Sequence, residues 1–295
     1  MTRSPALVAL ASVACIPELP TLEDPCGDWP DPGLYRTVEH PDDSGTRRPY
    51  VYVPDSSGPR DIVFVLHGAG MTGPKMAEVT GYLDAADQLG FVVVYPNGLG
   101  FPIRDWNAGP AWGGPDDVAF LDAVAKDVSD KVCGQRILAT GFSNGAMMGH
   151  RWACEGTMVD VLGVSSGPLM VDACDGEPLP MRHYHGTADT TVPMDGGVGN
   201  PGRGIDFRSV DDSMAIWRER NRCTDDAPEF EQRGDTNCRR WDCEAPTELC
   251  VVEGWGHQWP GGIHSARTDA DATGALLEFL DVADPLTPTS PTVTD

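Results

Sequence analysis

Residues 136–145 read Arg-Ile-Leu-Ala-Thr-Gly-Phe-Ser-Asn-Gly (RILATGFSNG). The run 136–141 has the apolar character of a strand covered on both faces, and 145–154 has helical patterning. Between them lies G-x-S-x-G, Gly141 to Gly145. Set between a strand and a helix, this pattern turns the chain sharply and projects the serine hydroxyl above the sheet. The turn brings neighbouring backbone close, so a β-carbon at 141 or 145 would clash. The helix N-terminus behind the serine favours negative charge developing in front of it. The bland alternative is a glycine-rich strand–helix turn carrying a surface serine; the flanking elements weigh against it.

Working outward, apolar runs at 50–54, 61–66, 91–95, 159–165, 181–185 and 249–253 are expected strands. Helices are expected over 75–89, from Asp116 or Asp117 to 131, over 207–220 and over 268–280. Buried strands alternating with helices specify an α/β protein: a mostly parallel, doubly wound sheet with helices on both faces, in a single domain. Ligands of such sheets sit outside the carboxyl ends of the strands.

A serine is a weak nucleophile without a base, and the base needs a third group to orient it. Around a nucleophile turn of this kind the chain order is serine, acid, histidine. Gly186-Thr187-Ala188-Asp189 follows the 181–185 strand, and Gly254-Trp255-Gly256-His257 follows the 249–253 strand. The expected catalytic group is therefore Ser143, Asp189 and His257. Asp175 and Asp195 are rival acids, and His264 is a rival base. His67-Gly68-Ala69-Gly70 faces the turn, so the Ala69 and Asn144 backbone N–H groups are the expected oxyanion donors, with Gly70 as the alternative to Ala69. A substitution of the Asn144 side chain by alanine is then expected to cost little, unless its amide also binds substrate. His67 reads as a loop pin, His150 as a structural residue of the nucleophile helix, and His183 and His185 as strand-end packing, two histidines being too few for a metal site. Asp116-Asp117 reads as a helix cap. Met147 and Met148 read as core. No metal and no cofactor is expected.

The chain has 295 residues, 40% hydrophobic, and a net charge of −24. That composition is globular, and the acidity argues against nucleic acid or an anionic membrane as partner. Residues 1–14 read as a signal peptide: Arg3 precedes a run of about ten apolar residues, too short to span a bilayer. Ser12-Val13-Ala14-Cys15 has the form of a lipoprotein cleavage box, which would make Cys15 a lipidation site and the protein secreted or anchored to the cell envelope. Residues 15–44 read as a Pro-rich acidic leader, 45–282 as the catalytic domain and 283–295 as a disordered tail. Without Cys15, eight cysteines remain, an even number suited to an exported chain. The pairing expected from spacing is Cys243–Cys250, Cys223–Cys238, Cys154–Cys174 and Cys26–Cys133.

Further motifs carry a resemblance. HGAG at 67–70, YPNG at 95–98, DDVAFL at 116–121, GFSNGAMM at 141–148, HGTADTTVP at 185–193 and GHQWPGG at 256–262 stand in the order found in secreted α/β-hydrolases of the feruloyl esterase and poly(3-hydroxybutyrate) depolymerase-like type. The chain resembles that family over about 45–282. The resemblance implies the α/β-hydrolase fold and maps the family's triad onto Ser143, Asp189 and His257. It also implies cofactor-free hydrolysis of hydroxycinnamoyl, acetyl or short polyester substrates. The chain departs from the family in its HGAG loop and in the Cys-rich segment 223–250.

Aromatic residues suggest the substrate. Phe101, Trp106 and Trp112 lie in a long loop, and Trp255 and Trp259 bracket His257. Such rings can stack on an aryl acid or a sugar, or simply fill space beneath loops. The substrate-binding candidates are Trp106, Trp112, Trp255 and Trp259. The reading as a whole is a monomeric serine esterase acting on a small, polysaccharide-linked or polyester substrate. Polyester depolymerisation is the alternative, a peptidase or acyl transferase a weaker one, and an inactive binding protein the reading from another class. No large apolar lid insertion is present, which argues against a lipase for long-chain fats.

Overall fold

The structure is a computed structural model and describes residues 31–36, 40–42, 45–56, 59–99, 103–199, 204–224, 227–261 and 270–282. The expected signal peptide, Cys15, Cys26, Phe101, His264 and the 283–295 tail lie outside the described residues.

Fourteen strands and six helices occur among the described residues. The strands are β1 (Gly33–Arg36), β2 (His40–Asp42), β3 (Gly45–Arg47), β4 (Tyr50–Val53), β5 (Arg60–Leu66), β6 (Val92–Tyr95), β7 (Gly134–Phe142), β8 (Val161–Ser165), β9 (Met181–Gly186), β10 (Gly197–Val198), β11 (Asp206–Phe207), β12 (Glu229–Arg233), β13 (Thr236–Trp241) and β14 (Thr247–Val252). The helices are α1 (Gly73–Thr80), α2 (Tyr82–Leu89), α3 (Asp117–Val132), α4 (Asn144–Glu155), α5 (Val210–Arg220) and α6 (Ala272–Val282).

Ten strands form one sheet in the order β1-β4-β6-β5-β7-β8-β9-β14-β13-β12. The six from β6 to β14 run parallel. Two antiparallel strands extend the sheet at either side. Strands β5, β6 and β8 are almost wholly apolar because both their faces are covered. One core packs α3, α4 and α5 on the sheet through residues such as Val124, Met148, Trp152 and Trp217. The other packs α1, α2 and α6 through Met76, Tyr82, Leu276 and Phe279. The expected fold class, a doubly wound, mostly parallel sheet in a single domain, is the one observed.

Five local expectations are corrected. The helix expected over 75–89 is two helices, because Gly81 takes φ +74° and breaks the ladder that apolar spacing alone would continue. The helix expected from 207 begins at Val210: Ser209 caps it by accepting from Asp212 N–H at 3.0 Å, while Phe207 lies in the β10–β11 pair. Within the leader expected over 15–44, residues 33–36 form β1, which pairs with β4. Just beyond this leader, Arg47 is buried against Asp117 at 2.5 Å and stacks on Phe120, so Asp117 is an ion-pair partner rather than a helix cap; Asp116 is the cap.

The fifth correction concerns the disulfides. Cys154–Cys174 is present as expected. The other two observed pairs are Cys223–Cys243 and Cys238–Cys250, in place of Cys223–Cys238 and Cys243–Cys250. The cause is strand register. Trp241 pairs with Thr247, which sets Cys238 directly across from Cys250 and leaves Cys243 in the turn. Cys243 is held instead at the end of α5 by Thr224 N–H to Asp242 O (2.8 Å) and Glu244 N–H to Asn221 O (3.0 Å). Cys133 is also disulfide-bonded. Among the described residues, no helix is long and apolar enough to cross a membrane.

Candidate active site

The strand β7 and the helix α4 meet at Ser143, whose backbone takes φ +57° and ψ −122°. A non-glycine residue there stores strain of about 1–3 kcal/mol and persists only where its surroundings impose it. Those surroundings are glycines. A β-carbon on Gly141 would lie 2.5 Å from Gly145 O, and one on Gly145 would lie 2.5 Å from His67 O. A third glycine, Gly167, sits against the Ser143 carbonyl, and its β-carbon would come within 2.8 Å of Ala146 Cβ. Sequence reasoning found the first two and missed the third, which follows β8 and lies outside the motif.

Two loops bring the partners to this serine. The turn after β9 carries Asp189, and the turn after β14 carries His257. Thr187 N–H donates to Val252 O (3.1 Å) and Ala188 N–H to Trp255 O (2.9 Å), tying the two turns together. The Asp189 side chain is fully buried. Its Oδ1 accepts from Thr191 N–H at 3.0 Å and Val192 N–H at 2.9 Å. Its Oδ2 accepts from His257 Nδ1 at 2.7 Å, which directs the Nε2 lone pair toward Ser143 Oγ, 2.9 Å away. The Phe142 ring packs on the imidazole at 4.8 Å between centroids. Neither rival acid has this contact with His257: Asp195 is exposed, and Asp175 borders a separate depression near Arg151.

The loop after β5 faces the serine. His67 donates from Nδ1 to Gly68 O (2.9 Å) and accepts at Nε2 from Gly98 N–H (3.0 Å). Burial pushes it down to about 4, Arg104 adding in the same direction against the Gly68 carbonyl, so it is a neutral loop pin. Gly70 N–H is taken by Arg104 O at 2.7 Å, which removes it as an oxyanion donor. Ala69 and Asn144 both line the cavity in front of Ser143. Asn144 occupies the first position of α4, where no earlier turn supplies a carbonyl for its N–H.

That cavity has a volume of about 600 Å³ and walls made chiefly of Met71, Ile103, Trp112, Phe142, Met147 and Phe207. A larger depression of about 790 Å³, bordered by Arg60, Gln88 and Glu278, touches none of these groups. Of the four tryptophans expected at the substrate, only Trp112 lines the cavity. Trp106 is fully buried, its indole N–H donating to His67 O at 3.0 Å. Trp255 is 3% exposed and donates to Gln258 O, and Trp259 is 3% exposed and donates to Thr273 Oγ1. These three hold loops together beneath the site. Ile103 and Phe207 carried no sequence signal, because loop residues take their facing from the fold. Met147, expected as core, also lines the cavity.

No family model matches the chain. Feruloyl esterase C of Emericella nidulans is 36% identical over 155 residues, 49% of this chain and 54% of that protein. Feruloyl esterase B of Piromyces equi is 30% identical over 185 residues, 57% of this chain and 34% of that protein. The chain thus spans between a third and about half the length of these two relatives. The probable feruloyl esterase C of Aspergillus niger is 28% identical over 306 residues, 96% of this chain and 100% of that protein. Among solved structures, an acetyl xylan esterase from Aspergillus awamori superposes with a TM-score of 0.64 at 17% identity, over 85% of this chain and all of that one. The structure titled sOPH native gives 0.57 at 17%, over 92% and 94%. At these identities the structural likeness shows the fold. In sequence the chain is similar to feruloyl esterases, and its fold is that of the α/β-hydrolases.

Proposed function

We propose that the chain is a serine esterase that hydrolyses carboxylic esters through an acyl-enzyme, with hydroxycinnamoyl or acetyl esters of plant polysaccharides as its substrate class. The observation that carries this reading is the position of His257, hydrogen-bonded to Ser143 Oγ on one side and to buried Asp189 on the other. Ser143 Oγ attacks the ester carbonyl carbon as its proton passes to His257 Nε2. Asp189 holds the imidazole in place and stabilises the imidazolium. The negative oxygen of the tetrahedral intermediate faces Ala69 and Asn144 N–H; one such donor contributes about 2.7–4 kcal/mol to the transition state. The C–O bond to the alcohol breaks, and the leaving oxygen takes the proton from Nε2. Water then attacks the acyl carbon, giving its proton to Nε2. The acid departs and Ser143 Oγ recovers the proton.

The apolar walls of the cavity favour an aryl or short acyl group, and a sugar-linked alcohol would extend toward solvent. The names of the sequence relatives support the same substrate class. Disulfides support an exported protein, since such bonds persist in oxidising compartments. Lipid attachment at Cys15 and a monomeric state complete the proposal.

The test is hydrolysis of p-nitrophenyl acetate by the natural chain and by Ser143→Ala. Equal rates remove the enzyme reading. Methyl ferulate, acetylated xylan and a hydroxybutyrate oligomer then rank substrates. Preference for the oligomer would replace the polysaccharide-ester assignment with polyester depolymerisation.

A further inference from the structure

Behind Asp189 lies a row of buried nitrogen atoms outside the mechanism just described. Trp217 on α5 donates from Nε1 to His150 Nδ1 on α4 at 2.9 Å. His150 Nε2 is 3.2 Å from His183 Nδ1, and His183 Nε2 is 3.1 Å from His185 Nδ1, both on β9. His185 Nε2 ends the row 2.8 Å from Val192 O and 3.7 Å from Asp189 Oδ2. Trp217, His150 and His183 are fully buried and His185 is 1% exposed.

The direction of every bond is fixed by the two ends. An indole N–H can only donate, so His150 Nδ1 accepts and its proton sits on Nε2. The same reasoning makes His183 and His185 Nε2–H tautomers, and the last N–H meets a carbonyl oxygen, which can only accept. All four N–H groups therefore donate in the same sense along the row, which ends at Val192 O beside Asp189. A proton added to any of the three rings would set one N–H against another. Burial keeps the rings neutral as well. It pushes His150 down to about 3, with Arg208 adding to the shift against the Gly167 carbonyl. It holds His183 well below the ordinary imidazole range, with His185 and His150 adding. It lowers His185 too, against the Val192 carbonyl and Asp189 and with His257 adding.

Val192 is the link to the chemistry. Its carbonyl receives His185, and its N–H holds Asp189 Oδ1. We propose that Trp217, His150, His183 and His185 are a positioning relay for Asp189, fixing the Val192 backbone that seats the carboxylate and directing the positive end of an aligned row of N–H groups at it. The inference rests on the esterase reading, in which Asp189 orients His257. It gives His150, His183 and His185 a role in the reaction that packing alone does not.

The experiment compares His185→Leu, which fills the space without a donor, with His185→Gln, whose amide can still donate to Val192 O. With p-nitrophenyl acetate, His185→Leu is expected to lower kcat by about 10- to 100-fold with KM within about twofold. The acid limb of its kcat/KM profile moves to lower pH, because a loosely seated carboxylate stabilises the His257 imidazolium less. Recovery of kcat to within about threefold is expected for His185→Gln. An unchanged kcat and pH profile in a folded His185→Leu protein would overturn the proposal. Imidazole nitrogen NMR of the natural chain gives a second measurement that survives a failure of His185→Leu to fold. Nε2–H is expected for His150, His183 and His185, against Nδ1–H for His67. A proton on Nδ1 of any of the three overturns the relay. If Ser143→Ala keeps full activity, the esterase reading fails while the NMR result stands by itself.

Discussion

Asn144 and the backbone of Trp106 exchange two hydrogen bonds: Oδ1 accepts from Trp106 N–H at 2.6 Å, and Nδ2 donates to Trp106 O at 3.2 Å. The residue proposed as an oxyanion donor thus also clamps Trp106 with its side chain. These two bonds give the side chain a structural role that the expectation of a low cost did not include. Asn144→Ala leaves the Trp106 N–H and C=O buried without these partners, at a cost of about 1–3 kcal/mol. Urea unfolding should show that loss, together with a fall in kcat for p-nitrophenyl acetate as the loop loosens.

Replacement of Gly145 by alanine pushes a methyl against the His67 carbonyl, and backbone cannot rotate away as a side chain would. The expected loss is about 1–3 kcal/mol or more. Thermal unfolding and activity should both report it, with activity falling further because His67 begins the Ala69 loop. Full activity with an unchanged melting temperature would contradict the packing described here.

Non-reducing peptide mapping should recover Cys223 with Cys243 and Cys238 with Cys250. The second pair joins β13 to β14, the strand that delivers His257. Cys238→Ala with Cys250→Ala is expected to lose about 2–4 kcal/mol of stability. The melting temperature drops accordingly, and kcat/KM drops at temperatures where the edge of the sheet loosens.

Acid should destabilise the protein well before its carboxylates protonate. Burial lowers His67 to about 4 and His150 to about 3, and it lowers His183 and His185 as well. In the unfolded chain each titrates near 6.5. Between those values the unfolded state binds more protons, so stability is fully present above pH 6.5 and is lost as pH falls toward 4. Each such histidine removes up to about 1.4 kcal/mol per pH unit in that window. Calorimetry at pH 7.5 and pH 5 should show a clear fall in melting temperature; a flat response would argue against neutral buried imidazoles.

The parts legible in the sequence are those that depend on local pattern. The apolar runs of β5, β6 and β7 announce covered strands, and G-x-S-x-G between β7 and α4 announces the turn at Ser143. Chain order then points to Asp189 and His257, which the structure brings within hydrogen-bonding distance of each other, with His257 also reaching the serine. What stayed hidden depends on long-range geometry. The break at Gly81 does not interrupt the apolar spacing, so the two helices read as one. The disulfides follow a register set by Trp241 opposite Thr247, and spacing between cysteines does not encode it. Burial decides which tryptophans reach the cavity, and Trp106, Trp255 and Trp259 do not line it. The histidine row joins α5, α4 and β9, three segments with no sequence proximity.

The three glycines around position 143 have a practical corollary. They impose the backbone torsion there from outside, so an Ser143→Ala chain inherits the same shape at no added strain. It should keep its cavity intact while lacking the hydroxyl of the proposed nucleophile. Soaked with a mixture of natural esters, such a chain becomes bait: whichever molecule it retains uncleaved identifies the reaction's true starting material.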